Sequence, residues 1–313
     1  MSSGHGGHET LPPGKAVEVS DGIFAYVQPD GGWWINNTAF LVGSQGVISI
    51  DACATQRRTL DYLDAIGAIT SRPVRTLINT HHHGDHTYGN YLFDTAAIVA
   101  HDNVRDRLLA AGPPRSAPFW TETDWGDIQL EPPFITYADR ITVHSDDLAC
   151  QVTYAGRPAH TTDDSYVWIP DRKVLVAGDL LFNGGTPFLL MGSITGAITL
   201  LEERIAPLGA QTIIPGHGPV CGPEVVDDVL GYLRYVQDIA EQAHAAGLTP
   251  LDAAREFGPG PYADLLDAER LVGNLHRAGA ELAGAAPGAP IDVAAALADM
   301  VTFNGGKPLT CLA

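Results

Sequence analysis

Asn79-Thr80-His81-His82-His83-Gly84-Asp85-His86 packs four imidazoles and a carboxylate into the six residues from 81 to 86. The preceding run 74–79 (VRTLIN) is apolar and β-branched. It reads as a buried strand that delivers the chain straight into this cluster. In an extended segment side chains alternate, which aims His81 and His83 the same way and turns His82 aside. Gly84 permits a sharp turn, after which Asp85 and His86 can reach a second metal beside the first. Imidazole and carboxylate donors suit zinc, and also iron or manganese. The ordinary alternative is a surface histidine tract, but such a tract needs neither the Gly-Asp-His ending nor partners downstream. Three partners are present: His160 after the run 148–154, Asp179 at the end of KVLVAGD, and His217 in Pro215-Gly216-His217-Gly218-Pro219. Each stands where a predicted strand gives way to a loop, where functional groups collect. Singly each reads as an ordinary loop residue; with the cluster they complete two coordination spheres.

Outward from the cluster, residues 23–27, 38–42 and 46–51 are short β-branched and aromatic runs split by Gly, Asn and Asp, as in a meander. Residues 55–68 read as a helix with Leu60, Leu63 and Ile66 on one face. A strand at 96–100 and a helix at 102–111 follow. The Pro- and Trp-rich stretch 112–133 is irregular, as lids and walls of sites often are. Strands resume at 134–137, 140–144 and 148–154, and 165–169 with 173–177 reads as a hairpin around Pro170-Asp171. A helix is predicted over 195–206, then a strand 211–214 ending at Pro215. From Glu224 the spacing turns helical, with helices at 224–239, 249–256, 262–283 and 291–301; the segment AGAAPGAP before Ile291 reads as a turn or linker. This order predicts an α/β sandwich, divided into a flexible leader 1–18, a core 19–223 and a helical C-terminal region 224–313 packed on it.

The 313 residues are 45% hydrophobic, enough to bury a full core. The net charge of −19, from 37 acidic and 18 basic residues, opposes binding to nucleic acid and to anionic membranes. Cys53, Cys150, Cys221 and Cys311 form no C-x-x-C pair, so neither a disulfide framework nor a thiolate zinc site is expected. The leader MSSGHGGHETLPPGK has no secretory pattern, and no apolar run reaches the roughly 18 residues that span a bilayer. A cytoplasmic protein is expected, and β-lactamase activity is disfavoured for want of a secretion signal. His5 and His8 read as part of a floppy tail.

The motif order resembles the metallo-β-lactamase superfamily: Asp51 after an early strand, H-x-H-x-D-H, a lone His, a Gly-Asp and a Gly-His-Gly. The resemblance covers about residues 20–222 and implies an αββα sandwich with two metals, most simply zinc, at one edge of the packed sheets. It implies that one zinc takes His81, His83 and His160, that the other takes Asp85, His86 and His217, and that Asp179 bridges them. Asp51 is then a supporting residue and His82 has no ligand role. The di-iron flavoprotein relatives usually carry Glu where His83 stands, so His83 favours a hydrolase-like zinc site.

Zinc lowers the pKa of bound water to about 7 and polarises carbonyl oxygens. Such a site supports ester, thioester or lactone hydrolysis, and equally enolisation with carbon–carbon bond formation. Aromatic residues in three stretches are candidates for the walls of a flat apolar pocket: Trp33 and Trp34; Phe119, Trp120 and Trp125 with Pro132-Pro133; Thr186-Pro187-Phe188 with Met191. His82, Tyr88, Asn90 and Asn304 are candidate polar contacts. A closer resemblance rests on GGWWINN, the run Trp125 to Pro133, Leu266 to Val272, Asn274-Leu275-His276-Arg277-Ala278 and the tail from Phe303 to Ala313. These phrases are similar to the second-ring cyclases of bacterial aromatic (type II) polyketide pathways. The resemblance implies intramolecular aldol condensation and dehydration of a bicyclic poly-β-ketone on an acyl carrier protein, with or without thioester cleavage. Asp85 and Asp179, with the metal-bound hydroxide, are the catalytic groups in that reading. A plain thioesterase or lactonase is the alternative, and a non-catalytic assembly module is opposed by the intact ligand set. An acidic carrier would need a basic patch on this acidic chain; Arg57-Arg58, Arg105 with Arg107, and Arg115 are candidates. The apolar faces of the C-terminal helices also suit a homodimer.

Overall fold

The computed structural model describes residues 11–114 and 117–313; His5, His8 and Arg115 lie outside them. The first half runs β1 (Lys15–Ser20), β2 (Ile23–Val27), β3 (Thr38–Gly43), β4 (Gly46–Ile50), α1 (Gln56–Ile69), β5 (Val74–Ile78), α2 (Gly84–Thr87), β6 (Ala97–His101), α3 (Asp102–Ala111) and β7 (Ile135–Tyr137). The second runs β8 (Arg140–Ser145), β9 (Leu148–Tyr154), β10 (Ser165–Ile169), β11 (Val174–Phe182), α4 (Ile194–Leu200), β12 (Thr212–His217), α5 (Glu224–Ala246), α6 (Pro250–Phe257), α7 (Arg270–Leu282) and α8 (Val293–Phe303). One sheet has the order β1-β2-β3-β4-β5-β6-β7 and the other β12-β11-β10-β9-β8. Strands β4 to β7 are parallel, as is the β11–β12 pair; the remaining pairs are antiparallel.

Strand alternation builds the layers. Ile48, Ile50, Ile78 and Val99 of the first sheet face Val152, Val167, Val176 and Ile214 of the second, forming the core between the sheets. The opposite faces are covered in turn. Phe40, Val47, Leu77 and Ile98 pack under α1 through Tyr62 and Ile66. Tyr166, Trp168, Leu175 and Ile213 share a core with α4, α5, α7 and α8. The result is the αββα sandwich, with the C-terminal helices as one outer layer.

Several expected boundaries are corrected. Residues 15–18, expected in the flexible leader, belong to β1. Leu60 is exposed, because the inner face of α1 is Arg58, Thr59, Tyr62 and Ile66. β12 continues through Pro215 to His217; it is the edge strand of its sheet, where a missing N–H breaks no ladder bond. The helix expected over 195–206 is α-helical only to Leu200, then widens into a π turn and tightens to 3-10 around Pro207, which lacks the N–H an α-helix needs. The helix expected from 262 begins at Arg270, after a turn in which Leu266 bridges to Gly185. Among the described residues no helix is long and apolar enough to cross a membrane.

Candidate metal centre

The strand ends deliver the cluster to one rim. His81 and His83 follow β5, Asp85 and His86 sit on the single turn α2, His160 follows β9, Asp179 lies within β11 and His217 ends β12. Two sets of donors converge: His81, His83, His160 and Asp179, and Asp85, His86, His217 and Asp179, each with its ligand atoms within 4.8 Å of one another. Asp179 is common to both. Its carboxylate lies 3.0 Å from His86 Nε2, 3.3 Å from His160 Nε2, 3.4 Å from His217 Nε2 and 4.0 Å from His81 Nε2. Asp85 Oδ2 is 3.3 Å from His217 Nε2, and His83 turns its Nδ1 to within 2.8 Å of His160 Nε2.

The donor set fits divalent metal. His81 Nε2 and His83 Nε2 are buried without a hydrogen-bond partner, and His86 Nε2 and Asp179 Oδ1 approach to 3.0 Å without hydrogen-bond geometry, a costly arrangement unless something else satisfies them. The opposite ring nitrogens are anchored, which fixes the tautomers. His86 Nδ1 is 2.8 Å from Asp51 Oδ2, His81 Nδ1 is 3.1 Å from Thr80 Oγ1, His217 Nδ1 is 3.2 Å from the Gly32 carbonyl, and His160 Nδ1 meets the Phe188 carbonyl. Thr80 Oγ1 donates to Asp51 at 2.7 Å, leaving its lone pairs for the His81 N–H. Asp51 therefore supports the centre from behind, at a left-handed φ of 63°.

Charge is balanced inside the cluster. Burial, then the neighbouring His86, holds His81 well below the usual imidazole range; burial and His160 do the same for His83. Burial would also lower His86, but the carboxylates of Asp179, Asp51 and Asp85 outweigh it and hold it well above. His217 is pushed up to about 9, because Asp179 and Asp85 overcome its burial. For Asp179, burial is overcome by His217, His86 and His160, which hold it well below the carboxylate range.

Close approach of β11 and β12 depends on Gly216, where an added Cβ would fall 1.9 Å from Asp179 Oδ1. Gly216→Ala is therefore expected to displace the bridging carboxylate and to lower the bound metal below two per chain, read by elemental analysis of the folded variant.

Over the cluster lies an open cleft. Trp33, Trp34, Trp120, Phe188 and Met191 line it, with His83, Asp85, His160, Asp179 and His217 at its floor. Trp33 meets Trp120 and Phe188 edge-on, both at 4.9 Å between centroids. Tyr88 and Trp125 do not line the cleft but back Trp34, at 6.1 and 4.8 Å. Asn304 is far from this role: its amide donates to the Lys307 and Pro308 carbonyls at the end of α8. Asn90 pairs with the Asn79 side chain, and His82 turns away to Asp163, 2.9 Å distant. Pro133 is held by Arg105 through its carbonyl, and Arg58 is buried between Gln28 and the Leu312 carbonyl, so neither arginine offers a free basic patch.

Arg270 went unassigned in the sequence reading. It lines the cleft fully buried, 4.0 Å over the Trp33 ring and 5.4 Å from that of Phe182, which stacks on His217 at 5.0 Å. Its guanidinium bonds the Thr186 carbonyl and lies 2.8 Å from Asp267, while Glu269 accepts the Trp33 indole N–H at 2.7 Å. Asp163 and Asp164 were also missed. Asp164 accepts from Thr161 at 2.6 and 2.8 Å and Asp163 from the His82 N–H, tying the two ligand loops together. The Thr-Thr-Asp-Asp run after His160 was the available signal, since such residues make local side-chain turns.

The sequence profile of the metallo-beta-lactamase superfamily matches residues 31–217. The chain is 25% identical over 207 residues to 2,4-dinitroanisole O-demethylase subunit alpha of Nocardioides sp. (strain JS1661), covering 65% of this chain and 55% of that protein. It is 24% identical over 231 residues to acyl-coenzyme A thioesterase MBLAC2 of Bos taurus, covering 62% of this chain and 81% of the relative. The chain spans about half the length of the first curated relatives it matches. The fold is similar to a metallo-beta-lactamase from Pontibacter korlensis, with a TM-score of 0.60 at 16% identity over 70% of this chain and 98% of that one.

Proposed function

The chain belongs to the metallo-beta-lactamase superfamily, and from that premise we propose that it is a zinc-dependent cyclase closing a ring on a flat aromatic β-keto thioester by aldol condensation and dehydration. One observation carries this reading: the scattered phrases similar to second-ring cyclases meet around a single cleft. GGWWINN supplies Trp33 and Trp34; the run from Trp125 backs Trp34; 266–272 supplies Glu269 and Arg270. Asn274 holds the 187–189 segment, accepting from Leu189 N and donating to the Pro187 carbonyl, which sets Phe188. The tail pins Trp120 through bonds between Leu309 and the Phe119 and Thr121 backbones. Most of these lie outside the matched residues 31–217, so the general superfamily chemistry does not require them.

When bound, the two metals supply Lewis acidity toward a carbonyl oxygen and acidify water. The chain's own groups do the rest. Aromatic walls stack the fused rings and exclude water from the reacting face. Asp85 reaches the cleft floor beside His217 and is placed to hold the proton removed from the carbon acid. The relative named as an acyl-coenzyme A thioesterase favours a second reading, hydrolysis of an aromatic thioester at the same site. The cytoplasmic location and the acyl-carrier partner go with the cyclase reading.

Product analysis tests this. Zinc-loaded protein given a bicyclic aromatic β-keto thioester is expected to release a tricyclic product lighter by one water, absent with His83→Ala. Free acid alone favours the hydrolase, and no turnover with metal bound overturns both. A companion variant tests the wall. Arg270→Ala removes the cation over Trp33, so KM should rise about tenfold with metal content unchanged, whereas Arg270→Lys keeps the charge and recovers part of the loss. An unaltered KM would show that Arg270 takes no part in binding substrate.

A further inference from the structure

A second, open pocket shares Met191 with the metal cleft. The same loop serves both spaces, with His83 facing the cleft and His82 the cavity. Its walls carry Arg107, Arg277 and His82 and, among the described residues, no carboxylate. That is unusual on a chain with 37 acidic and only 18 basic residues. Among the described residues neither arginine is in an ion pair. Arg107 is exposed on α3; buried Arg277 meets only the carbonyls of Leu190, at 2.8 and 2.9 Å, and Ala289, at 3.0 Å. His82 is held by Asp163 at 2.9 Å and Arg277 is spent on the Leu190 and Ala289 carbonyls, so the exposed Arg107 is the guanidinium whose donors are free among the described residues. The segment that reads as a linker in the sequence is its outer wall, pinned by Arg277 through Ala289.

We propose that this cavity seats the phosphorylated pantetheine arm of a thioester substrate whose acyl head lies over the metals, an inference that rests on the thioester reading above. The cleft is walled by aromatic rings, and its one guanidinium is engaged by Thr186 and Asp267, so it offers little to an anion. A phosphate on a flexible arm needs an adjacent, positively lined space, and a guanidinium with free donors recognises phosphate. Met191, unbranched and adaptable, stands where a narrow chain would pass from one space to the other.

The test is binding of the arm itself, by calorimetry on the full chain, with 4′-phosphopantetheine, pantetheine and coenzyme A as probes. Phosphopantetheine should bind about tenfold more tightly than pantetheine, with the advantage shrinking as salt rises. Arg107→Glu should abolish that advantage; Arg57→Glu, an exposed charge reversal on α1, should leave it, and thermal melts verify that both variants fold. Coenzyme A binding as tightly as phosphopantetheine points to a free thioester; weaker binding points to a carrier-borne arm. Equal affinity for phosphopantetheine and pantetheine, or an advantage that survives Arg107→Glu, overturns the proposal. Because the probes carry no acyl head, a failed cyclisation assay with intact phosphate preference sinks only the function reading, and the converse sinks only this one.

Discussion

Asp179→Asn should leave a folded chain that retains at most one metal and turns over the proposed aromatic thioester about a thousandfold more slowly. Asp179 is the only residue shared by both donor sets, and four histidine Nε2 atoms lie within 3.0–4.0 Å of its carboxylate. The amide is nearly isosteric, so the sandwich has no cause to unfold. It removes one negative charge, however, and replaces an acceptor with a donor facing imidazole lone pairs. Lewis-acid stabilisation of a developing oxyanion is worth several kcal/mol, and each ~1.4 kcal/mol is tenfold in rate. Metal analysis and single-turnover rates on the same preparation check this. Two retained metals with an unchanged rate would remove Asp179 from the bridge.

The second large effect is on stability. Asp51→Ala should cost about 3–5 kcal/mol, the range for breaking a buried charged pair, which for a chain of this size lowers Tm by roughly 10 °C. Asp51 is buried and accepts the Thr80 N–H and Oγ1–H, both at 2.7 Å, and pairs with His86 Nδ1 at 2.8 Å. Alanine leaves those buried groups unsatisfied and frees His81 and His86 to rotate, so metal affinity should also fall about 10- to 100-fold. Thermal melts with and without added zinc separate the two terms. A variant as stable as the parent would show that the network behind the histidines contributes nothing.

The cluster was legible because its information is local. Alternation along an extended segment and one glycine turn set the directions of His81, His83, Asp85 and His86, and predicted strands led to His160, Asp179 and His217, although β11 runs on to Phe182, so Asp179 lies within the strand and not in a loop after it. Most strands were legible for the same reason, since period-2 patterns are written in consecutive residues. What was lost depends on distant partners. Arg58 reads as a surface charge on α1 until the Leu312 carbonyl, 254 residues away, is brought to it. Arg270 looks like an ordinary helix-start cation until Trp33 is laid beneath it. Asn304, a plausible site residue by its neighbours in sequence, is consumed in ending α8. Trp125 and Tyr88 were read as wall residues but pack behind Trp34 and do not line the cleft, because rank within an aromatic stack is a tertiary property.

The C-terminal helices thus do two jobs. They cover the outer face of the second sheet, and through Arg270, Glu269 and Asn274 they fix the cleft wall over a cluster built by the other end of the chain. Everything above them depends on that cluster being a two-metal centre. Crystals of zinc-loaded protein, with anomalous diffraction collected on both sides of the zinc edge, test this directly. Two peaks per chain are expected, one against His81, His83 and His160, one against Asp85, His86 and His217, and both against Asp179. A single peak, or zinc bound elsewhere with these seven side chains unliganded, would contradict it.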